Sequence, residues 1–232
     1  MALLRYVFYM IGIAGFTWLL TWMEISAPGS LLFYVSAGPH DSFGTSEYSP
    51  VEIIQPFMLA ICGLLCAWVA RDCPSQRPIA FAFGGFALIA IIRELDYFFD
   101  NLVADNFWQV LVAIIGALLI VYTYRHRRRF RIAWLRLWPS PGLTLLFAGA
   151  TIQFGFVIVV GHDPFWRAVM GDDYVRIVKL AVEEMIELMG YYLWLIGTIE
   201  YAFQARAIAF RQPQRAAAKR RAGRQPKSEG RF

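Results

Sequence analysis

The sequence predicts an all-α, polytopic integral membrane bundle of six transmembrane helices with both termini cytoplasmic. Three observations predict it. Hydrophobic residues make up 58% of the 232-residue chain and charged residues only 17%, against roughly 45–50% and about 25% in a soluble domain. The mean hydropathy is +0.48. The apolar residues fall into six runs of bilayer length, and Lys and Arg gather on one side of those runs. An ordinary soluble enzyme, a disordered chain and a disulfide-stapled module are all excluded by this composition.

A helix needs about 20 residues to cross the hydrocarbon core. The runs cover residues 6–23, 53–70, 78–97, 107–124, 142–161 and 177–203. Backbone groups in lipid must be paired within their own segment, so these are helices, and the alternating pattern of barrel strands is absent. The first run follows Arg5 and is longer than the apolar core of a signal peptide, so it reads as a retained anchor helix. Residues 25–50 form a Gly-, Ser- and Pro-containing outer loop in which residues 31–35 are apolar enough to dip into the interface. Trp22, Trp108, Tyr122, Tyr124 and Trp138 stand near span ends, where aromatic anchors belong.

Orientation follows from the basic residues. Arg5, the segment 71–78, the segment 125–140 and the tail from 205 hold eighteen of the twenty-two Lys and Arg. The positive-inside rule places all four on the cytoplasmic side, and a bacterial inner (plasma) membrane is the expected location. Residues 1–204 form the membrane domain with a net charge of −3. Residues 205–232 carry +8 and too little apolar surface to fold independently, so a disordered tail is expected. Arg125, Arg127, Arg128, Arg129 and Arg131 are expected to contact anionic lipid headgroups, as is the tail. Lipid, not nucleic acid, is the expected partner, with a protein partner or a second copy also open.

Fourteen of the seventeen acids fall on the outer side or in outer helix turns. This gives the outer mouth a field that attracts cations. Two clusters lie within helices. In the third span Arg93, Asp96 and Asp100 would share one face at i, i+3 and i+7, with Glu94 about 100° away. In the sixth, Lys179, Glu183 and Glu187 form an i, i+4, i+8 stripe that Gly190 and Trp194 continue, with Glu184 and Tyr191 on the flank. Ionisable residues at such depth face the bundle interior and pair with one another. An Arg93 bridge to Glu187 or Glu183 is the plainest pairing. The clusters read equally as a packing network or as a functional site.

His40, Asp41, His162 and Asp163 form two outer-loop His-Asp pairs, which could ligate a metal or simply punctuate turns. Cys62 and Cys66 lie one helical turn apart, where no disulfide forms readily, and read as small buried interface residues. Gly84, Gly85, Gly149 and Gly155 suit close helix approach, and Gln55, Gln109, Thr151 and Gln153 suit bonds across helices. No phosphate-binding loop, nucleophile elbow or paired haem histidine is present, so the residues indicate no cofactor. No internal repeat and no broken helix near the midplane is evident. Three functions fit this pattern. They are a cation- or proton-coupled small-solute transporter, a non-catalytic membrane subunit or assembly factor, and a membrane-embedded enzyme acting on a lipid or lipid-linked substrate. The outer carboxylates favour the first.

Overall fold

The structure is a computed structural model that describes residues 2–28 and 50–222. Every secondary-structure element among the described residues is helical. The elements are α1 (Ala2–Ser26), α2 (Pro50–Asp72), α3 (Arg77–Glu94), α4 (Asp96–Leu102), α5 (Phe107–Arg125), α6 (Arg127–Leu137) and α7 (Pro141–Thr151). A π-helical segment (Ile152–Phe156), α8 (Val157–Val160), α9 (Asp163–Met170), a short 3-10 turn (Gly171–Asp173) and α10 (Arg176–Ala222) complete the chain.

Four stretches are long and apolar enough to cross a membrane: α1, α2, α5 and the continuous path Pro141–Val160. The α3–α4 pair makes a fifth if its two bent halves count as one span. The sixth expected span lies in α10, which is not among these. Its apolar content is diluted by Lys179, Glu183, Glu184, Glu187 and Glu200.

Local chemistry explains several boundaries. Pro78 opens α3, where its missing N–H leaves no helix bond unmade. The Ser140 hydroxyl caps α7 by accepting from the Leu143 N–H at 3.3 Å, and Pro141 follows it. α3 ends at Leu95 (φ −106°, ψ 19°), and α4 departs at 62°. The 78–97 span is therefore broken near its C-terminal end. α10 runs through the expected 204/205 boundary to Ala222. Residues 223–232 lie outside the described residues.

α10 is the spine. It packs along α7 and α2, while α2 packs along α3 and α3 on α5. One apolar cluster, around Val69, Ile79, Leu143 and Tyr201, fills the half nearer the Arg-rich corner. A second, around Val51, Leu59, Leu188 and Tyr191, fills the other half. Cys62, Cys66 and Cys73 are buried free thiols. α1 leans on this body through Leu20, which is buried, and through Phe16, which stacks on Tyr192 with ring centroids 5.7 Å apart. Large apolar side chains such as Phe86, Leu118, Ile120 and Phe154 point outward. Such a surface suits lipid and not water.

Glycines decide how closely α7 and α10 approach. A Cβ on Gly149 would stand 2.8 Å from the Gly190 carbonyl oxygen and overlap the Trp194 ring, and one on Gly142 would stand 2.8 Å from the Tyr201 nitrogen. Gly155 does not belong to this set, since nothing lies within 4 Å of its added Cβ. It faces away from the partner helix.

Candidate functional site

Two successive turns of α10 hold most of the site. On the first, Glu187 Oε1 accepts from Arg93 Nη2 at 2.9 Å, and Glu184 Oε2 accepts from Gln55 Nε2 at 3.0 Å. On the second, the Tyr191 hydroxyl donates to Glu94 Oε1 at 2.5 Å. The i, i+3 and i+7 spacing of Glu184, Glu187 and Tyr191 places them along one face of the helix. Gln55 reaches them from the first turns of α2, and Arg93 and Glu94 from the last turn of α3. Glu187 is 5% exposed, Tyr191 2% and Gln55 0%. Arg93 keeps 48% of its side chain exposed, so one end of the bridge is open. Glu187, Glu52 and Glu94 all lie close enough to Glu184 to act on it electrostatically.

The π-helical segment adds a fourth element. Its wider turn carries Gln153, whose Nε2 donates to the Glu187 backbone carbonyl at 2.9 Å. Gly190 leaves the space, since a Cβ there would stand 3.0 Å from Gln153 Nε2. Single π turns inside α-helices recur at functional sites. The irregular turn falls about 16–22 Å along the continuous path from Pro141 to Val160, in its second half. The amide oxygens of Gln55 and Gln153 are buried and accept no hydrogen bond from the described residues.

The residues expected in the charged cluster divide into three groups. Arg93, Glu94, Glu184, Glu187 and Tyr191 meet. Lys179 and Glu183 stand one to two turns further out, with Lys179 Nζ 3.2 Å from Glu183 Oε2 and 3.3 Å from Asp163 Oδ1. Asp96 and Asp100 do not share a face with Arg93, because the bend at Leu95 carries them onto α4, which packs on α5 and α3. Asp96 instead accepts from the Tyr97 backbone N–H at 2.6 Å. Glu94 does not point away from Arg93's partner helix, for both residues reach α10.

Of the possible metal ligands, His40 and Asp41 lie outside the described residues. Asp163 is engaged by Lys179 and by the Tyr174 hydroxyl, 3.3 Å away. Among the described residues no group of three or more His, Cys, Asp or Glu is placed to hold a metal ion. Arg125, Arg127, Arg128, Arg129 and Arg131 stand exposed at the α5–α6 corner.

Glu200 is a residue that sequence reasoning did not single out. Glu200 is fully buried; its Oε1 accepts from the Tyr9 hydroxyl at 2.8 Å and lies 3.2 Å from Arg5 Nε. The available signal was Arg5 and Tyr9 at i, i+4 on α1, able to face a lone acid of α10.

The hydrogen bond from Lys179 holds the Asp163 carboxyl below the usual carboxylate range. A lowered folded-state value means that this tie between α9 and α10 is in place above the ordinary Asp value of about 3.9. It is lost only as the pH falls through the lowered one. We expect Asp163→Asn to raise amide hydrogen exchange across residues 161–176 at neutral pH, while the unaltered chain stays protected until strongly acidic conditions. Equal exchange in the two would show that the tie holds nothing.

No family model, no curated protein and no solved structure matches this chain.

Proposed function

We propose that the chain crosses a bacterial inner membrane six times, with both termini cytoplasmic, and couples movement of a cation or proton to that of a small solute. The carboxylates at the α2–α3–α10 junction form its ion site. One observation carries the reading: among the described residues, Glu94 and Glu187 stand beside the Arg93 guanidinium, and Glu184 lies within electrostatic reach of both carboxylates. Two like charges roughly 6 Å apart repel by about 3 kcal/mol at an effective dielectric of about 20. A cluster in excess of its counter-charge therefore recruits protons or a cation. The buried amide oxygens of Gln55 and Gln153 are further acceptors that either visitor satisfies. The partly exposed Arg93 leaves a way in, and the outer acids raise the local cation concentration.

In this reading Glu187 is the group whose charge Arg93 holds when the site is empty. Glu184 is the group that takes the visiting charge, and Gln55 keeps it in place. The π turn lets Gln153 hold the α10 backbone at Glu187 without a rigid α-helical register.

The test is flux. The full chain is reconstituted into vesicles with a pH-sensitive dye inside, and an ion gradient is imposed. We expect the rate to exceed that of protein-free vesicles and to fall to it in Glu184→Gln and Glu187→Gln. Rates equal in the unaltered chain and both variants at every pH tested overturn the proposal. If an unrelated polypeptide also co-purifies, a non-catalytic subunit takes its place.

A further inference from the structure

Two apolar grooves flank α3 on the half of the bundle nearer the Arg-rich corner. The first, about 310 Å³, lies between α3, α6 and α7, with walls that include Phe83, Trp134, Leu146, Phe147 and Phe154. The second, about 630 Å³, lies between α3 and α5 and is lined by Ile89, Gly116, Leu119 and Ile120. Ala82, Phe86 and Phe130 belong to both, so they form a ridge with a groove on each side. From Arg77 to Ile89 is 12 residues, about 18 Å of helix, close to the roughly 15 Å depth of one leaflet of hydrocarbon.

The second groove meets a charged recess. Arg127 lines the end of the second groove, and it also lines a recess of about 430 Å³ with Arg125, His126, Arg128 and Arg129. All four arginines are exposed. None of them forms a salt bridge with a carboxylate among the described residues. Arg127 lies over the Tyr124 ring, 4.9 Å from its centroid, and donates to the Tyr124 carbonyl at 3.3 Å, which leaves donors of its guanidinium for a ligand.

We propose that this corner binds one two-chain anionic phospholipid, with its phosphate in the Arg recess and one acyl chain in each groove beside the ridge of Ala82, Phe86 and Phe130. The basic recess selects the headgroup, since guanidinium forks match phosphate oxygens. No carboxylate among the described residues bridges these arginines, so nothing there attracts the ammonium of a zwitterionic lipid. The paired grooves separated by one ridge select two tails on one backbone. This goes beyond ion coupling and does not depend on it.

The test uses the full chain in vesicles containing lipids with brominated acyl chains, which quench nearby tryptophan. Trp134 forms part of the first groove, and subtracting the signal of Trp134→Phe isolates it. We expect brominated phosphatidylglycerol to quench at a mole fraction about fivefold lower than brominated phosphatidylcholine, what one arginine engaged at an anionic surface contributes. The preference should vanish in Arg127→Gln/Arg128→Gln/Arg129→Gln and, in the unaltered chain, at high salt. The salt series keeps the test decisive if the triple variant fails to fold. Ala82→Leu, which fills both grooves, should weaken quenching by both lipids. Equal quenching by the two lipids, or a preference that survives both charge removal and salt, overturns the proposal. So does displacement of the quencher by free glycerol 3-phosphate, which has no tails.

Discussion

Replacing Arg93 with alanine is expected to destabilise the bundle by about 2 kcal/mol, and adding Glu187→Gln should recover most of that loss. Removing one partner of a buried ion pair costs about 3–5 kcal/mol, because the other charge is stranded. Here the arginine side chain is 48% exposed while that of Glu187 is 6% exposed, so solvent screening reduces the figure. Most of what remains falls on Glu187, whose Oε1 loses its partner at 2.9 Å, and the rest on Glu94. The neutral amide that Glu187→Gln introduces needs no counter-charge, so the double variant should unfold near the temperature of the unaltered chain. The measurement is thermal unfolding in detergent of both single variants and the double one. Additive effects of the two substitutions would show that the bridge is not coupled.

The second large effect is expected at Gly142. Gly142→Val should cost about 3 kcal/mol or abolish folding, at the upper end for overpacking. The new Cβ would stand 2.8 Å from the Tyr201 nitrogen, 3.1 Å from the Gly197 oxygen and 3.2 Å from the Tyr201 Cα. All three are backbone atoms, so no side chain can swing aside and α7 must part from α10. Tyr201 is fully buried, and its hydroxyl donates to the Gln76 carbonyl at 3.3 Å. Separation at this level therefore also loosens the turn between α2 and α3. Gly63→Ala is the control: nothing lies within 4 Å of its added Cβ, and alanine favours helix over glycine by roughly 1 kcal/mol. It should leave stability unchanged or raise it. Unfolding curves of the two variants decide the matter, and a Gly142→Val chain as stable as Gly63→Ala would contradict the packing.

Much of the site was legible before any coordinates. The stripe of Lys179, Glu183 and Glu187 needs only helical periodicity, and the Arg93–Glu187 bridge follows from burying both charges at similar depth. The face shared by Arg93, Asp96 and Asp100 failed for a local reason. Periodicity assumes an unbroken helix, and nothing in Arg-Glu-Leu-Asp signals a stop, since neither Gly nor Pro is present. Glu200 failed for the opposite reason: its partners Arg5 and Tyr9 are 195 and 191 residues away.

Composition and periodicity by themselves determined that the chain is helical and that several of its helices are apolar enough to span a membrane, because every apolar run must satisfy its backbone within itself. They also determined which residues carry charge into the bundle. Only the tertiary structure decided which charges meet. That depended on the bend at Leu95, the π turn at Ile152–Phe156 and the glycines that let α7 lie against α10. Helix geometry sets spacing along one segment, whereas the register between segments is a property of their packing, which no single segment encodes.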